Sequence, residues 1–388
     1  MQRANGVGKR LRIWLGLLLV LGLTSCAIPQ IKAEDRLFLP VAVELLDVYN
    51  LPPQEFEGTT VGGLSALVYD RGRDRTYALS DDRGRSGPAR FYTLNLTLGS
   101  STAPNGNITI DSVTIESVTP LRDAEGDLYP RGSLDPEGMA LSPRNTLFIS
   151  SEGDVGQNAP PFIGEFDRET GQVIATLPLP ERFLPDAPDR PTRGVQNNLS
   201  FEALTVTGSP SAGMTEPFRL FATTESALVQ DYNDDPSQPL NTRVLHYLLG
   251  DDQTTLIAEH RYPLELEPTG AVVNGVTALL AIDPGGHFLA LERAFGLRGI
   301  QVKLFQLATG GAADTSATVS LRGDVSGLAP VRKQLVLDFA DTSLAVDNLE
   351  GMTLGPRLPD GSQSLLLVSD NNFEADRATQ IILLRLQM

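Results

Sequence analysis

The chain has 388 residues, a formal net charge of −17 and one cysteine. A chain this acidic is not expected to hold nucleic acid or an anionic membrane surface by electrostatic attraction, whereas it suits cations. A single cysteine excludes an internal disulfide framework and a thiolate zinc site. The length permits two domains or one large all-β domain.

The N-terminal segment resembles a bacterial lipoprotein signal peptide. Basic residues up to Arg12 precede an apolar run, residues 15–23, which is too short to remain as a membrane span. The run ends in the sequence LTSC, which resembles a lipobox whose cysteine, Cys26, becomes the lipidated first residue of the mature chain. An ordinary signal peptide with a chance cysteine is the alternative. Ala27, in the next position, resembles a signal for sorting to the outer membrane.

These features divide the chain into three parts. We predict a signal peptide over residues 1–25, a tether over residues 26–36 and one folded domain over residues 37–388. The protein would then be anchored by lipid in the bacterial cell envelope, at the outer membrane and facing the periplasm. Its only membrane contact would be the N-terminal lipid.

Short apolar runs broken by Gly, Pro, Asn and Asp follow the leader, and they predict β-strands. Five segments open with a similar run: GGLSALVYD, PEGMALS, FEALTVT, NGVTALLAID and LEGMTLG. After a turn, each continues with a second run that ends in an acid: TYALSDD, LFISSE, LFATTE, FLALE and LLLVSD. A third run follows in all five segments, and a fourth run follows in the first four. Self-similarity of this kind indicates a repeat architecture.

Four-stranded units repeated around a ring predict a β-propeller. The fifth unit lacks a fourth run, and an unassigned run, RLFLPVAVELLDVY, stands alone at residues 36–49. We therefore predict an all-β propeller of five four-stranded blades, closed by the N-terminal strand in the last blade, which leaves no large open sheet edge. Six blades, with a degenerate blade hidden in residues 305–347, are the alternative.

Two positions in each unit form a recurrent acidic pattern. The first two runs are antiparallel, so the end of the second lies beside the start of the first, and both positions meet at one face of the ring. The first position reads Gly63, Glu137, Glu202, Asn274 and Glu350. The second position reads Asp81 (with Asp82), Glu152, Glu225, Glu292 and Asp370. An acid at the second position of all five units predicts a ring of carboxylates.

Crowded carboxylates repel one another unless a cation or an arginine neutralises them. Oxygen ligands, with no cysteine and few histidines beside them, favour Ca²⁺ or Mg²⁺ over zinc, and Ca²⁺ is the predicted cofactor. The predicted metal ligands are Asp81, Asp82, Glu152, Glu225, Glu292, Glu350 and Asp370. A purely structural ring, in which the acids satisfy turns and hold blades together, is the alternative.

Arginines lie close to the same face in the sequence. Arg83, Arg85 and Arg293 are predicted to bind a substrate phosphate, because a guanidinium suits bidentate recognition of phosphate oxygens. The alternative is that each arginine pairs with a carboxylate of the ring. A Ser–His–Asp triad finds little support, since no serine stands in a G-x-S-x-G motif.

The repeated segments resemble the phytase-like domain family, named for esterase-like activity of phytase. The resemblance covers about residues 55–388 and lies in GGLSAL…ALSDDRG, DPEGMAL…FISSEG, FEALTVT…TTES, FLALERAF and NLEGMTL…LLVSDNNF. It implies a propeller-like, secreted or lipid-anchored domain, rich in Glu and Asp, that acts on phosphoesters. Gly63 and Asn274 depart from the glutamate of the first position, so the ring is asymmetric.

Together these features predict a metal-dependent phosphoester hydrolase whose substrate is a phosphorylated small molecule or a phosphodiester. The predicted catalytic residues, one of which acts as general base, are Glu137, Glu152, Glu202 and Glu225. Ca²⁺ would neutralise the ring, bind phosphate oxygens and activate a water, so no protein nucleophile is needed. A non-catalytic binding or scaffolding propeller with a structural cation is the alternative.

Overall fold

The structure is a computed structural model that describes residues 37–100, 108–207, 216–235, 237–251, 253–266, 271–297, 299–374 and 376–388. The predicted signal peptide, the tether and Cys26 lie outside the described residues. Within the described ranges, no helix combines the length and the apolar composition needed to cross a membrane.

Short apolar runs with frequent turn residues form β-strands along the described chain. The first three strands are β1 (Ala42–Leu51) and the small hairpin β2 (Gln54–Phe56) and β3 (Thr59–Val61). Blade 1 contains β4 (Leu64–Asp70), β5 (Arg75–Ser80), β6 (Arg90–Ser100) and β7 (Ile108–Pro120). Blade 2 contains β8 (Pro136–Leu141), β9 (Leu147–Ser151), β10 (Phe162–Phe166) and β11 (Val173–Thr176).

The remaining strands complete three further blades. Blade 3 contains β12 (Phe201–Thr207), β13 (Phe218–Thr224), β14 (Leu240–Leu249) and β15 (Thr254–Leu264). Blade 4 contains β16 (Ala271–Ala281), β17 (His287–Gly296), β18 (Gly299–Ala308) and β19 (Arg332–Asp338). Blade 5 contains β20 (Asn348–Arg357), β21 (Gln363–Asp370) and β22 (Thr379–Gln387), with β1 as its outer strand.

The pairing of β1 with β22 closes the ring. The two strands are antiparallel over most of their length, from Ala42 opposite Gln387 to Leu51 opposite Thr379. The predicted closure by the N-terminal strand and the predicted count of five blades are therefore confirmed. The six-blade alternative is wrong, because β18 and β19 pair directly and the described segment between them adds no strand.

The inner strands pack against one another around a narrow axis. Each of them carries a β-bulge near its start, and the strand register then places a small residue at the same level in all five blades. These small residues are Ala66, Gly138, Ala203, Ala278 and Gly351. A Cβ atom on Gly138 would lie 2.5 Å from the Glu202 carbonyl oxygen and 2.7 Å from Ser150 Oγ. The close approach of the blades therefore depends on small side chains.

The apolar faces of neighbouring blades form the core. In the described residues, each blade interface has its own cluster of buried hydrophobic side chains. Phe148 of blade 2 and Phe218 of blade 3, for example, contact edge to face with their ring centres 6.1 Å apart. Burial of these surfaces is the main favourable term that holds the ring closed.

Replacement of Gly138 by alanine should destabilise the ring, because its Cβ would meet the Glu202 carbonyl oxygen and Ser150 Oγ. Overpacking of this kind costs about 1–3 kcal/mol of unfolding free energy. Chemical denaturation measures this value. Gly310→Ala is the matched control, since nothing lies within 4 Å of its Cβ position. Equal stability of the two variants would contradict the packing described for the axis.

Candidate functional site

Three equivalent positions per blade meet at one end of the inner hairpins. The start position precedes or opens the inner strand and holds Gly63, Asp135, Ser200, Gly275 and Asn348. The bulge position follows two residues later and holds Ser65, Glu137, Glu202, Thr277 and Glu350. The end position, opposite the start position, holds Asp81, Glu152, Glu225, Arg293 and Asp370. Pairing of the start and end positions in all five blades defines this equivalence.

The register corrects two of the predicted first positions. Gly63 and Asn274 do not occupy the bulge position, where the structure has Ser65 and Thr277. Both hydroxyls bond across to the next blade: Ser65 Oγ donates to the Glu137 carbonyl oxygen at 3.0 Å, and Thr277 Oγ1 donates to the Leu349 carbonyl oxygen at 2.9 Å. The ring is asymmetric, as predicted, but the residues that break its symmetry are different.

Glu292 is also wrongly assigned to the carboxylate ring. It pairs with Val276 one residue before the end position, and a shift of one residue turns a strand side chain to the opposite face. Its carboxylate accepts hydrogen bonds from Tyr262 Oη at 2.8 Å, Asn274 Nδ2 at 2.9 Å and Lys333 Nζ at 2.6 Å. Glu292 therefore belongs to a separate polar cluster.

A cavity of about 500 Å³ opens over the carboxylate ring. Its lining includes most of the predicted site residues: Asp81, Asp82, Arg83, Arg85, Glu137, Glu202, Glu225, Arg293, Glu350 and Asp370. The carboxylate of Glu152 lies next to this lining, where its Oε1 accepts a hydrogen bond from the Ser200 amide. The predicted ring of acids thus exists, and it surrounds the floor of one cavity.

Two groups of three acids in this floor are close enough to share a cation. Asp135, Glu137 and Glu152 form one group, and Glu152, Glu202 and Glu225 form the other, with the oxygen atoms of each group within 4.8 Å of one another. Glu152 belongs to both groups. All five side chains are buried, the most exposed being Glu137 at 7 %.

Arg293 supplies an internal counter-charge on the blade 4 side of the floor. Its Nη2 donates to Glu225 Oε1 at 2.8 Å, and its Nη1 bonds Glu350 and Asn348. Asn348 Nδ2 also donates to Asp370 Oδ2 at 3.3 Å. Arg293 therefore pairs with ring carboxylates, which is the alternative that the sequence left open.

The two arginines of blade 1 differ in their contacts. Arg83 donates from Nε to Asp135 Oδ1 at 2.7 Å and from Nη2 to Asn198 Oδ1 at 2.6 Å. Arg85 is exposed at the rim, and its guanidinium makes no hydrogen bond or ion pair to another described residue. Of the three predicted phosphate ligands, Arg85 is the one whose guanidinium is not bonded to a carboxylate, although its charge opposes the rise in the pKa of Asp135 that burial causes.

Asp82 has its own fixed partners. Its Oδ2 accepts from Arg90 Nη1 at 2.8 Å, and both side chains of this pair are almost fully buried. The backbone amides of Arg85 and Ser86 donate to the same carboxylate at 2.6 Å and 3.0 Å. These bonds orient Asp82 as an anchor for the loop that carries Arg83 and Arg85, and they leave it poorly suited to a metal.

Burial and mutual repulsion raise the carboxyl pKa values on the side of the floor formed by blades 1 and 5. Burial, followed by repulsion from Asp370 and Glu350, raises the pKa of Asp81 to about 9. Burial raises the pKa of Glu350 to about 8 against the attraction of Arg293. Asp81 Oδ1 is buried and has no hydrogen-bond partner among the described residues. Such an oxygen calls for a partner such as a water or a cation.

The acids on the blade 2 and blade 3 side behave in the same way. Burial, followed by repulsion from Asp135, raises the pKa of Glu152 to about 8. Burial and Glu202 raise the pKa of Glu137, and burial and Glu225 raise the pKa of Glu202, in both cases well above the ordinary range. The arginines therefore neutralise only part of the acidic floor. An oxygen-only, buried and under-neutralised donor set fits a hard divalent cation.

Sequence reasoning missed several residues of the site. Asp135 and Asn348 each stand two residues before a bulge-position glutamate, and this repeated spacing was the available signal. Gly63 and Gly275 stand at the same start position without a side chain, because Asp81 and Glu225 fill the space. A Cβ on Gly275 would lie 2.3 Å from Glu225 Cγ.

The fold and the site together define a five-bladed propeller with a carboxylate-lined cavity at one end of its axis. Residues 59–373 match the family described as Phytase-like: Esterase-like activity of phytase. The match spans most of the chain, so the protein belongs to this family, and the resemblance seen in the sequence is confirmed. No curated protein matches the sequence significantly.

Solved structures match the chain only with low TM-scores and very low sequence identity. Hydrazine synthase from Kuenenia stuttgartiensis has 10% identity and a TM-score of 0.33, over 84% of this chain and 61% of that one. The N-terminal domain of Nup159 has 10% identity and a TM-score of 0.30, over 90% and 96%. A DUF4221 family member from Bacteroides vulgatus has 9% identity and a TM-score of 0.37, over 89% and 98%. These values carry no information about function.

The raised pKa values predict that the protein loses stability as the pH rises when no divalent cation is present. A carboxyl with a raised folded-state pKa contributes stability that is fully present below its ordinary pKa and is lost as the pH rises through the folded value. Those values are about 6 for Asp135, 8 for Glu152 and Glu350, and 9 for Asp81.

We therefore expect the unfolding free energy, measured in EDTA, to fall between pH 5 and pH 9. The fall should exceed about 1.4 kcal/mol, which is the effect of one carboxyl shifted by one pKa unit. Millimolar Ca²⁺ should largely abolish this fall in unfolding free energy. Glu137→Gln should reduce the fall more than the exposed control Glu55→Gln does. Stability in EDTA that is constant or rises over this range would contradict the electrostatics described here.

Proposed function

We propose that this protein is a metal-dependent phosphoester hydrolase that uses the acidic cavity as its active site. The observation that carries this proposal is the excess of buried carboxylates over arginines at the cavity floor, next to an uncommitted arginine at its rim. Membership of the phytase-like family supports hydrolysis as the class of reaction.

Glu152 is the best-placed residue to hold the cation, because it belongs to both groups of acids that could share one. Asp135 on one side and Glu225 on the other would be further ligands, which leaves Glu137 and Glu202 for proton transfer. Carboxylate ligands favour Ca²⁺ or Mg²⁺, and we favour Ca²⁺. A bound cation would supply Lewis-acid polarisation of the phosphate oxygens.

Arg85 would contact the phosphate from the rim, since its guanidinium has no other described partner. Arg83 lies beside it, with its side chain 26 % exposed, and would contribute a second positive charge while it remains bound to Asp135. Arg293 is held by Glu225 and Glu350 and would act mainly as a fixed counter-charge. The phosphate would thus meet one uncommitted and one shared cationic side chain.

Glu202 is our candidate for the general base. It lines the cavity, its pKa is raised, and it makes no described ion pair, whereas Glu225 is tied to Arg293. It would accept a proton from the water that attacks phosphorus, while the ester P–O bond breaks and the departing oxygen takes up a proton from solvent water. Glu137 lines the same floor and is the second candidate.

A non-catalytic propeller with a structural cation is the competing function. The contacts of Arg293 favour it, because this side chain already joins blades 3, 4 and 5 through carboxylates, and a cation could join blades 2 and 3 in the same manner. The two functions differ in whether the protein turns over a phosphoester.

The proposed function predicts Ca²⁺-dependent release of 4-nitrophenol from 4-nitrophenyl phosphate or bis(4-nitrophenyl) phosphate. Glu152→Gln and Glu202→Gln should each lower kcat/KM at least a hundredfold, which is typical for loss of a metal ligand or a general base. Steady-state kinetics at several Ca²⁺ concentrations separates the two roles. Added Ca²⁺ should partly restore the Glu152 variant, whose cation affinity is lowered, and should not restore the Glu202 variant.

The control for these variants is Glu55→Gln, an exposed acid on β2, which should retain full activity. Circular dichroism and thermal unfolding show whether each variant is folded. A calcium-loaded, folded protein that is inert toward both substrates and toward a wider panel of phosphoesters would contradict hydrolysis and favour the structural cation.

We also propose that the protein is anchored to the bacterial envelope by lipid on Cys26. The support is the lipobox-like sequence LTSC after a basic and apolar leader. Anchoring in the envelope would make the cavity accessible to substrates outside the cytoplasm.

A further inference from the structure

Blade 4 extends above the carboxylate floor, unlike the other four blades. Its inner strand β16 begins at Ala271, well before Val276, whereas β4, β8 and β12 begin at the residue equivalent to Val276. The next two strands continue with it, since Val273 pairs with Phe295 and Phe295 pairs with Ile300. We call this the blade 4 extension.

The blade 4 extension is apolar where it borders the cavity. Val273, Phe295 and Ile300 all line the cavity wall. Phe295 is 58 % exposed although it belongs to a regular strand, and Leu297 near the tip is 92 % exposed. Exposed apolar residues that adjoin a polar cavity mark a ligand surface more often than scattered single residues do.

A second aromatic residue borders the same cavity from the loop after β21. Phe373 has a φ of 54°, a left-handed conformation that is unusual for an aromatic residue and implies that its surroundings hold it there. Asn371 fixes the loop, because its Oδ1 accepts hydrogen bonds from the Gly63 amide at 2.9 Å and the Phe373 amide at 3.2 Å. The cavity therefore has an acidic floor and a partly aromatic wall.

The charges of the cavity disfavour a polyanionic substrate. Arg83 and Arg293 are paired with carboxylates, and Arg377 at the rim bonds Glu374 at 2.8 Å. Among the described residues that line the cavity, Arg85 is the one arginine that makes no ion pair with an acid, although its charge also opposes the rise in the pKa of Asp135 that burial causes. A molecule with several phosphates would meet more carboxylates than free guanidinium groups, and like charges at this separation repel.

From this combination we infer that the substrate is an ester of a single phosphate whose alcohol part is apolar, and aromatic in the simplest case. The phosphate faces Arg85 and the cation proposed at the acidic floor, and the apolar part packs on Phe295, Val273 and Ile300. This inference rests on the proposed function and specifies its substrate class. A polyphosphorylated polyol such as inositol hexakisphosphate is correspondingly a poor substrate.

The test compares Phe295→Ser with the wild-type full-length chain on two monoesters, 4-nitrophenyl phosphate and glycerol 2-phosphate. We expect KM for the aromatic ester to rise about tenfold with kcat nearly unchanged, because an apolar contact made in both the ground and transition states affects binding alone. KM for glycerol 2-phosphate should stay within about twofold. Leu335→Ser, which changes a 48 % exposed leucine on the outer strand of the same blade, is the matched control.

The inference would be overturned if the ratio of KM for 4-nitrophenyl phosphate to KM for glycerol 2-phosphate were the same in wild type and Phe295→Ser. The proposed function would still stand, because both esters are hydrolysed. Faster turnover of inositol hexakisphosphate than of the aromatic ester would also overturn it. If wild type hydrolyses neither ester, nor bis(4-nitrophenyl) phosphate, nor the wider panel of phosphoesters, the proposed function fails. Calorimetric binding of phenylphosphonate and methylphosphonate in Ca²⁺ then decides, with about tenfold weaker binding of phenylphosphonate alone expected in Phe295→Ser.

A lipid surface is the other occupant that an exposed apolar edge could take. Co-sedimentation with phosphatidylethanolamine–phosphatidylglycerol vesicles measures it on the full-length chain carrying Cys26→Ser, which removes the proposed lipid site. Vesicle binding that is lost in Phe295→Ser, together with unchanged KM values, would assign the blade 4 extension to the membrane and overturn the substrate inference.

Discussion

The narrow axis of the propeller is the constraint on which the site depends. Small residues such as Gly138 and Ala203 let the inner strands approach closely, and the bulge before each of them turns the preceding side chain toward the cavity. Acids from several blades are thereby forced into one small volume. The favourable burial of the blade interfaces supplies the free energy that offsets their repulsion. The fold thus concentrates negative charge at one end of the ring, where positive charge is needed to neutralise it.

The carboxylates are neutralised in different ways in two sectors of the ring. On the blade 4 side, Arg293 takes the place of an acid and pairs with Glu225 and Glu350. On the blade 2 side, Arg83 pairs with Asp135, while Glu137 and Glu152 have no arginine in direct contact among the described residues. A guanidinium is permanently charged, so Arg293 offsets part of the negative charge of the first sector at any ordinary pH. The second sector must gain protons or a cation, and this difference directs an exogenous cation to the neighbourhood of Glu152.

The sequence was sufficient for the fold and for most of the acidic ring, and insufficient for its register. Five similar strand runs and one unpaired N-terminal run predicted the blades and the strand that closes them, because pairing of this kind repeats along the chain. The bulges could not be predicted, since an inserted residue leaves the apolar pattern nearly intact. In blade 4 the second apolar run also ends one residue before the end position, so the pattern predicts Glu292 in the ring and its neighbour Arg293 outside it. The blade 4 extension was equally hidden, because it continues ordinary strand composition.

The central claim is that a divalent cation neutralises the carboxylate floor around Glu152. A crystal structure of the protein at saturating Ca²⁺, with anomalous data to identify the ion, tests it most directly. The expected result is an ion bonded to Glu152 and to other floor carboxylates at about 2.3–2.6 Å, the distances typical of Ca²⁺–oxygen contacts. A floor that contains only water and hydrogen-bonded carboxyl pairs at saturating Ca²⁺ would contradict the account.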